Sequence, residues 1–318
     1  MSDSFAVEFK NVTKAFGDVQ AVRNLNFSIE KGQLVTLLGP SGCGKTTTLR
    51  LIAGLEMVTE GHIFIGDKEV TKISASDRDV SMVFQSYALF PHMTVMQNVS
   101  YGLTMSRLSK QEVQEKSQTG LELVGLSGFG ERLPSELSGG QQQRVAVARA
   151  LVLEPEVLLF DEPLSNLDAK LRRRVREEIR ELQQELGLTT IYVTHDQEEA
   201  LAVSDRIIVM NEAVIAQEGT PKQLYEEPVN LFVSDFIGDA NLVKSTILEI
   251  DGSNAEVDIG GIQLQLPRRE LIPGDAMAAI RPQSICLHES GAENGIPGTI
   301  LKSSYLGDHL EYTVECEL

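Results

Sequence analysis

One short stretch of the sequence combines glycines, a lysine and a threonine at the spacing of a phosphate-binding loop. Its residues, which match the pattern G-x-x-x-x-G-K-[ST], are Gly39, Pro40, Ser41, Gly42, Cys43, Gly44, Lys45 and Thr46. The glycines allow backbone N–H groups to converge on a phosphate, and a following helix presents its positive N-terminus to the same anion. Lys45 is expected to contact the β- and γ-phosphates, and the Thr46 hydroxyl to bind Mg²⁺. The motif indicates a nucleotide, and by itself it leaves kinases, GTPases and helicases open.

Two further sets of side chains could act on that nucleotide. Asp161 and Glu162 follow an apolar run of strand length, and a carboxylate at such a strand end holds Mg²⁺ in phosphate-loop folds. Glu162 could then polarise a water molecule for in-line attack on the γ-phosphate. His195 follows another such run, at the kind of strand end where ligands bind in open α/β sheets. The alternatives are that the two acids begin a solvated loop and that the histidine is structural.

A second glycine-containing turn lies between the phosphate loop and the acidic pair in the sequence. It consists of Ser138, Gly139, Gly140 and Gln141, and a helical pattern follows it. Two glycines followed at once by a helix form another anion-binding end, where the Ser138 hydroxyl could hydrogen-bond phosphate oxygens. A helix N-cap alone would explain Ser138 but not the three residues after it. Two such turns predict that both hold the same nucleotide, from opposite sides.

The elements that must position these residues alternate between strands and helices over the first 240 residues. Apolar runs predict buried strands at 35–38, 157–160, 190–194 and 207–210, and helical periodicity predicts helices at 46–53 and 169–186. From about residue 241, short strand-type segments are separated by turn residues at 251–254 and 260–261. The sequence therefore predicts an α/β fold with a mostly parallel sheet, followed by a small all-β domain.

Composition excludes several classes of protein. The chain has 28 Lys and Arg against 46 Asp and Glu, a formal net charge of -18, so nucleic acid is not an expected partner. Its three cysteines, Cys43, Cys286 and Cys316, lack the spacing of a disulfide framework or a zinc site. The chain shows neither a secretory signal pattern nor an apolar run approaching the roughly 20 residues of a membrane span. We therefore expect a soluble chain whose role at a membrane would be peripheral.

Taken in order, these motifs resemble the ATP-binding cassette (ABC) family over the whole length of the chain. That family carries Leu-Ser-Gly-Gly-Gln between its phosphate loop and its acidic strand, as residues 137–141 do here. The resemblance implies that Gln85 is the Q-loop glutamine, which touches Mg²⁺ or the attacking water. It implies that Ser165, Asn166, Leu167 and Asp168 form the D-loop. It also implies that Phe16 stacks on adenine.

The resemblance also implies the complete set of site residues. Glu162 is the implied catalytic base, His195 the switch histidine, and Gln85 the third catalytic residue. The implied ligands of Mg²⁺ are Thr46, Gln85 and Asp161. The implied ATP-binding residues are Phe16, Gly39, Pro40, Ser41, Gly42, Cys43, Gly44, Lys45, Thr46, Thr47, Ser138, Gly139, Gly140, Gln141 and Asp168.

Several shorter segments resemble importer ATPases of the maltose, polyamine and ferric-cation type, with most similarity to the ferric-cation and sugar-phosphate branch. The importer type is indicated by residues 40–44, 87–93 and 219–221 with Tyr225, and the ferric-cation and sugar-phosphate branch by residues 236–242 and 305–307. They imply an ABC ATPase domain over 1–240, with a helical subdomain at about 86–155, and a regulatory TOBE/OB-like β-barrel over 241–318. This barrel is shorter than the family's, so we expect the chain to be cut short at residue 318.

The family's active unit is a homodimer that clamps ATP and Mg²⁺ between the phosphate loop of one copy and the Ser138 turn of the other. The resemblance implies a peripheral position on the cytoplasmic face of a bacterial inner membrane, with permease subunits and, indirectly, an external solute-binding protein as partners. The implied cargo is ferric iron, with sugar phosphates, polyamines or phosphonates as alternatives. A soluble, non-transport ABC ATPase and a small-molecule kinase remain as alternatives of other classes. The kinase would leave residues 137–141 and Gln85 unexplained.

Overall fold

The computed structural model describes residues 5–268, 272–289, 295–307 and 309–318, and these form two compact units. The first unit ends at Glu226 and the second begins at Glu227. The domain boundary predicted between 240 and 241 coincides with the start of a strand in the second unit, and it stays a prediction.

The described part of the first unit contains all the strands and helices expected to carry the site. Its strands are β1 (Val7–Phe16), β2 (Val19–Ile29), β3 (Leu34–Leu38), β4 (Glu60–Ile65), β5 (Lys68–Glu69), β6 (Val80–Val83), β7 (Val157–Asp161), β8 (Thr189–Thr194), β9 (Arg206–Asn211) and β10 (Val214–Gly219). Its helices are α1 (Lys45–Ala53), α2 (Val95–Thr104), α3 (Lys110–Leu123), α4 (Gly139–Leu151), α5 (Ala169–Leu186), α6 (Gln197–Val203) and α7 (Pro221–Glu226). The strands and helices predicted from the sequence are confirmed, because each is present with its ends within one residue of the predicted ones.

Two sheets form the frame of the first unit. The larger has the strand order β10-β9-β3-β8-β7-β6, and only β10 runs antiparallel to its neighbour. The smaller is antiparallel, with the order β2-β1-β4-β5. The predicted α/β fold with a mostly parallel sheet is thereby confirmed. Because β3, β8, β7 and β6 are parallel neighbours, their carboxyl ends lie along one edge of the sheet.

The larger sheet is covered on both faces, which explains its unbroken apolar runs. Along β7, Val157 and Leu159 belong to a core shared with α1 and the antiparallel sheet. The alternate residues Leu158 and Phe160 belong to a second core shared with helices α2 to α5. Alternation of side chains between the two faces of a strand therefore places every residue of this run in a buried environment.

Helices α2, α3 and α4 occupy the range predicted for a helical subdomain. Each begins at a hydroxyl residue whose side chain accepts from a backbone N–H three residues later, while the residue there bonds back. The three capping boxes are formed by Thr94 with Gln97, Ser109 with Glu112, and Ser138 with Gln141. The helix that follows the Ser138 turn is therefore encoded locally.

The described residues of the second unit are mostly strands. They comprise α8 (Leu231–Phe236), β11 (Asn241–Asp251), β12 (Asn254–Ile259), β13 (Ile262–Pro267), β14 (Gly274–Ile280), β15 (Gly298–Tyr305) and β16 (Leu310–Cys316). Four strands form an antiparallel sheet of order β13-β12-β11-β14, and β15 pairs with β16. Both predicted turns, 251–254 and 260–261, connect hairpins of the larger sheet. The β-rich C-terminal part predicted from the sequence is confirmed.

Candidate functional site

The phosphate loop connects the buried strand β3 directly to helix α1. Gly42 and Gly44 adopt positive φ angles of 81° and 105°. A Cβ atom at Gly44 would also collide with the carbonyl oxygen of Ala21. Both the backbone conformation and the packing therefore require glycine at position 44. Ser41 and Gly42 form the exposed part of the loop, and Thr46 and Thr47 are half-buried in the first turn of α1.

The side chain of Lys45, the first residue of α1, folds back into the phosphate loop. Its side chain is buried, with 6% of the residue's surface exposed. Its ammonium donates to the carbonyl oxygens of Gly39 and Pro40 at 2.8 and 2.9 Å. The Cys43 sulfur lies 3.9 Å from the same ammonium, and burial raises the pKa of the Cys43 thiol. The loop therefore holds a positive charge at its centre, surrounded by its own backbone.

The acidic pair lies at the carboxyl end of β7, between β8 and β6. The Thr46 hydroxyl donates to Asp161 Oδ1 at 3.2 Å, so the two predicted oxygen ligands of a metal are adjacent. Burial raises the pKa of Asp161. Glu162 has a φ of 45°, in the left-handed region that is uncommon for a residue with a side chain. This conformation coincides with a backbone bond from the Glu162 N–H to the Val193 carbonyl at 3.1 Å.

The three predicted catalytic residues lie together. Glu162 Oε1 is 3.3 Å from His195 Nδ1, and Gln85 Nε2 is 3.5 Å from Glu162 Oε2. The strand order accounts for this arrangement, because the phosphate loop, His195, the acidic pair and Gln85 follow β3, β8, β7 and β6. Four neighbouring strand ends therefore assemble residues that are up to 156 positions apart, from Gly39 to His195.

Two residues of the D-loop contribute contacts that the sequence did not predict. Gln85 Nε2 donates to the Ser165 hydroxyl at 3.2 Å, and Asn166 Nδ2 donates to the Gln85 carbonyl at 2.8 Å. Ser165 in turn donates to the Glu162 carbonyl at 3.0 Å. These bonds tie Gln85 to the residues just after β7. Asp168 caps α5, since its Oδ1 accepts from the Leu171 N–H at 2.9 Å.

The sequence also did not predict a polar cluster formed by residues that precede and follow His195 in the chain together with Arg172. Glu199 is buried on α6, where it accepts from the Thr194 hydroxyl at 2.8 Å, and burial raises its pKa. Arg172 from α5 lies 3.4 Å from Asp196 Oδ2 and donates to the Leu167 carbonyl at 3.2 Å. The pattern of Asp196 followed three residues later by Glu199 is a helix-start signal, and it could have marked this cluster.

Among the described residues of one copy, the Ser138 turn shares no hydrogen bond with the phosphate loop. Ser138 and Gly139 are exposed. In the described part of the chain, the hydrogen bonds of Ser138 stay within its own turn and the start of α4, with Gln141 and Gln142. A Cβ at Gly139 would lie 3.2 Å from a Leu167 methyl, and one at Gly140 3.1 Å from a Leu171 methyl. The two glycines therefore allow the start of α4 to approach the D-loop and α5 closely.

Phe16 lies at the end of β1 with 48% of its surface exposed. The Lys14 ammonium lies 4.5 Å from the centre of the Phe16 ring. The exposed part of the Phe16 ring is available for a further stacking contact.

Among the described residues, no helix is both long and apolar enough to cross a membrane. The family model described as ABC transporter matches residues 22–165, and the TOBE domain model matches residues 278–318.

The chain is also similar in sequence to importer subunits over nearly its whole length. It is 61% identical over 312 residues to the "Fe(3+) ions import ATP-binding protein FbpC" of Rhizobium etli, which covers 98% of this chain and 88% of that protein. The protein of the same name from Brucella abortus is 60% identical over the same shares. The one from Vibrio cholerae is 52% identical over 97% of this chain and 87% of that protein.

Two solved structures resemble the fold of this chain. One is a dimeric post-hydrolysis state of the ATP-binding cassette MJ0796 bound to ADP and Pi, with 33% identity and a TM-score of 0.60. It covers 68% of this chain and 98% of that chain. The other is cbiO1 from Clostridium perfringens, described as part of the ABC transporter complex cbiONQ, with 29% identity and a TM-score of 0.65. It covers 70% of this chain and 92% of that chain.

Proposed function

The chain belongs to the ABC transporter family, and we propose that it is the ATP-hydrolysing subunit of a ferric-iron import complex. The assignment of ferric iron as the cargo rests on the 52 to 61% identity, over 97 to 98% of the chain, to proteins named as Fe(3+) ions import ATP-binding proteins. The catalytic role is supported by the cluster of Gln85, Glu162 and His195 beside the phosphate loop.

ATP is bound through its phosphates by the loop of residues 39–46 and through its base by Phe16. The Lys45 ammonium exchanges its bonds to the Gly39 and Pro40 carbonyls for bonds to the β- and γ-phosphates. A bond between the ammonium and a negatively charged phosphate is stronger than one between the ammonium and a neutral carbonyl, so this exchange is favourable. The N-terminus of α1 adds its partial positive charge, while Thr47 contributes a hydroxyl in the first helical turn.

The residues present fit a magnesium ion. Mg²⁺ prefers oxygen ligands, and the Thr46 hydroxyl and the Asp161 carboxylate stand 3.2 Å apart at the loop. Burial disfavours the charged form of Asp161, and a nearby dication would compensate that cost. We propose Thr46, Asp161 and the Gln85 amide oxygen as the residues that hold the ion. When bound, the ion would neutralise charge on the β- and γ-phosphates.

Hydrolysis begins when Glu162 accepts a proton from a water molecule placed in line with the γ-phosphate. The water oxygen forms a bond to the γ-phosphorus, the bond to the β-phosphate oxygen breaks, and ADP and phosphate are the products. Gln85 and His195, both in contact with the Glu162 carboxylate, orient the water and the γ-phosphate. The Ser165 and Asn166 side chains keep Gln85 at this position.

The complete site is proposed to lie between two copies of the chain. Ser138, Gly139, Gly140 and Gln141 of one copy bind the γ-phosphate held by the other, with Asp168 at the contact between the copies. The phosphates then lie between two positive helix ends that would otherwise repel each other. Release of phosphate removes this attraction and allows the copies to separate. Permease subunits in the membrane receive this motion from the cytoplasmic face, and an external binding protein delivers the iron.

Uptake of radioactive ferric iron tests the proposal. A bacterial strain lacking the gene should regain iron uptake with the wild-type chain and fail to regain it with Glu162→Gln. The same strains should show unchanged uptake of a sugar phosphate and of a polyamine. If the wild-type chain restored uptake of one of these solutes and not of iron, the cargo would be different. If the strain lacking the gene lost uptake of none of the three solutes, a non-transport ATPase would be favoured.

A further inference from the structure

The connecting segment, residues 87–93, follows Gln85 and leads into α2. The guanidinium of Arg149, near the end of α4, donates to two successive carbonyl oxygens of this segment. Its Nη1 bonds to the Ala88 carbonyl at 2.8 Å and its Nη2 to the Tyr87 carbonyl at 2.9 Å. Arg149 is half-buried, and this burial lowers the pKa of its guanidinium. One arginine thus joins helix α4 to the residues beside Gln85.

A second side chain, which is buried, holds the other half of the connecting segment. Asn98 of α2 is fully buried. Its Oδ1 accepts from the Phe90 N–H at 2.8 Å, and its Nδ2 donates to the carbonyls of Phe90 and Met93, both at 3.1 Å. The backbone of the connecting segment is therefore fixed at four residues by side chains of α2 and α4, both in the helical subdomain.

The part held by Arg149 is strained. Tyr87 and Ala88 have φ angles of 60° and 47°, two consecutive left-handed residues without a glycine. The Tyr87 ring is buried, and its hydroxyl has no hydrogen-bond partner among the described residues. Such a conformation is energetically unfavourable for residues with a side chain and persists only where its surroundings impose it. The two carbonyls that Arg149 binds belong to these two residues.

The strained pair also defines the position of Gln85. The Tyr87 N–H donates to the Phe84 carbonyl at 2.8 Å, which closes a turn with Gln85 and Ser86 at its centre. On its other side, Gln85 is bound by Ser165 and Asn166 of the D-loop. The orientation of the Gln85 amide thus depends on the D-loop at one end and on Arg149 at the other.

We infer that Arg149 is a positioning residue that couples helix α4 to Gln85. Ser138 is the N-cap of α4 and Arg149 lies in the last turn of the same helix. A movement of this helix therefore displaces both residues. Engagement of a phosphate at Ser138 therefore shifts the Tyr87–Ala88 pair, and with it Gln85 beside Glu162. This inference rests on the proposed function for the roles of Ser138 and Gln85, and on the contacts above for the coupling itself.

The test combines hydrogen exchange with steady-state kinetics on the full chain carrying Arg149→Ala. We expect amide exchange in residues 84–93 to rise by about tenfold, since two charge-assisted hydrogen bonds are lost. Exchange in residues 157–161 should stay unchanged. The kcat for ATP should fall by about tenfold, with KM within about twofold, because the phosphate loop is not touched.

Two further variants separate coupling from a general loss of structure. Arg149→Lys keeps the charge but cannot bond both carbonyls in the planar fork, so its exchange and kcat should lie between those of the wild type and Arg149→Ala. It also carries the test if the alanine variant does not fold. Arg132→Ala is the matched control, because that guanidinium stacks on the Phe129 ring at 4.2 Å in the same subdomain. It should leave both quantities unchanged.

Three results would overturn the inference. They are unchanged exchange in residues 84–93, an equal rise of exchange in residues 157–161, and a local rise of exchange with an unchanged kcat. The proposed function fails by a different observation, namely wild-type chain that restores no iron uptake. The two outcomes can therefore be told apart.

Discussion

At the scale of single residues, Asp161 shows a conflict between stability and catalysis. Burial raises the pKa of this carboxyl group, so the fold disfavours its charged form. For an acid with a raised pKa, stability is lost as pH rises through the folded-state value and regained as pH falls. At neutral pH the free protein therefore carries an unfavourable charge at the place where a metal ion is proposed to bind.

Asp161→Asn should accordingly stabilise the free protein while it abolishes ATP hydrolysis. The amide keeps an oxygen that can accept from Thr46. We expect a gain on the order of 1 kcal/mol in the free energy of unfolding at pH 7, measured by urea titration without Mg²⁺ or nucleotide. The gain should shrink as pH is lowered. A loss of stability at pH 7 would show that the charged carboxylate is supported by the fold.

Glu162→Gln should separate binding from hydrolysis. The amide preserves the size of the side chain but cannot accept the proton of the attacking water, so turnover should fall by about 10² to 10⁴-fold. The Kd for ATP, measured by fluorescence titration, should stay within about twofold of the wild-type value, because the phosphate loop is unchanged. Substantial turnover in this variant would assign the base to another residue.

Much of the site could be predicted from single residues, and the rest depends on contacts between segments that are far apart in the sequence. The spacing of residues 39–46 and the position of Asp161 and Glu162 after an apolar run were sufficient to locate them. Gln85 followed only from the family resemblance. Ser165, Asn166 and Arg149 gave no local signal, because each acts on a segment 61 to 81 residues away in the chain.

At the scale of elements, the sequence was most informative where both faces of a strand are buried. The runs 34–38, 157–160 and 189–194, in β3, β7 and β8, consist only of apolar, β-branched or aromatic residues, so they could be recognised without knowledge of their neighbours. Strand β1 was harder, because three register shifts in its pairing with β2 interrupt the alternation of buried and exposed residues.

Asp205 fixes the start of β3, the strand that leads into the phosphate loop. Its Oδ2 accepts from the Leu34 N–H at 2.8 Å, and Arg180 contacts its Oδ1 at 2.5 Å. Burial alone would raise the pKa of Asp205, but the hydrogen bonds from Arg180 and Leu34 lower it. For an acid with a lowered pKa, stability is present above the unfolded-state value and is lost as pH falls through the folded-state value.

Asp205→Asn should therefore destabilise the protein by about 1 kcal/mol at pH 7, allowing for solvent screening of a partly exposed pair. The difference from wild type should shrink as pH falls below about 4, the unfolded-state value for aspartate. Denaturant titrations at several pH values measure this difference. Glu154→Gln is the control, because its carboxylate is 74% exposed beside Lys116 and should contribute little. Equal effects of the two substitutions would contradict the account.

At the scale of the whole molecule, the function of one copy depends on features that a single chain does not show. The Ser138 turn is exposed and its described hydrogen bonds are local, so its role follows from the presence of two anion-binding helix ends and from the family. The cargo could not be derived from the site, because the residues that act on ATP are shared by transporters of many solutes. Sequence similarity supplied it.

Ser138→Arg should abolish turnover while one copy still binds ATP. The long cation would occupy the space proposed for the γ-phosphate of the other copy, so hydrolysis should fall by at least about tenfold with an unchanged Kd of the monomer. Ser109→Arg is the control, because it removes the same type of capping hydroxyl, at α3. That variant should lose only about 1 kcal/mol of stability and keep its turnover. Loss of ATP binding by the Ser138→Arg monomer would argue against a shared site.

A structure of the Glu162→Gln variant with ATP and Mg²⁺ tests the central claim most directly. The account predicts two copies related by a two-fold axis, with each γ-phosphate bonded to Lys45 of one copy and, at about 3 Å, to the Ser138 hydroxyl of the other. A γ-phosphate whose protein contacts all come from a single copy would contradict it.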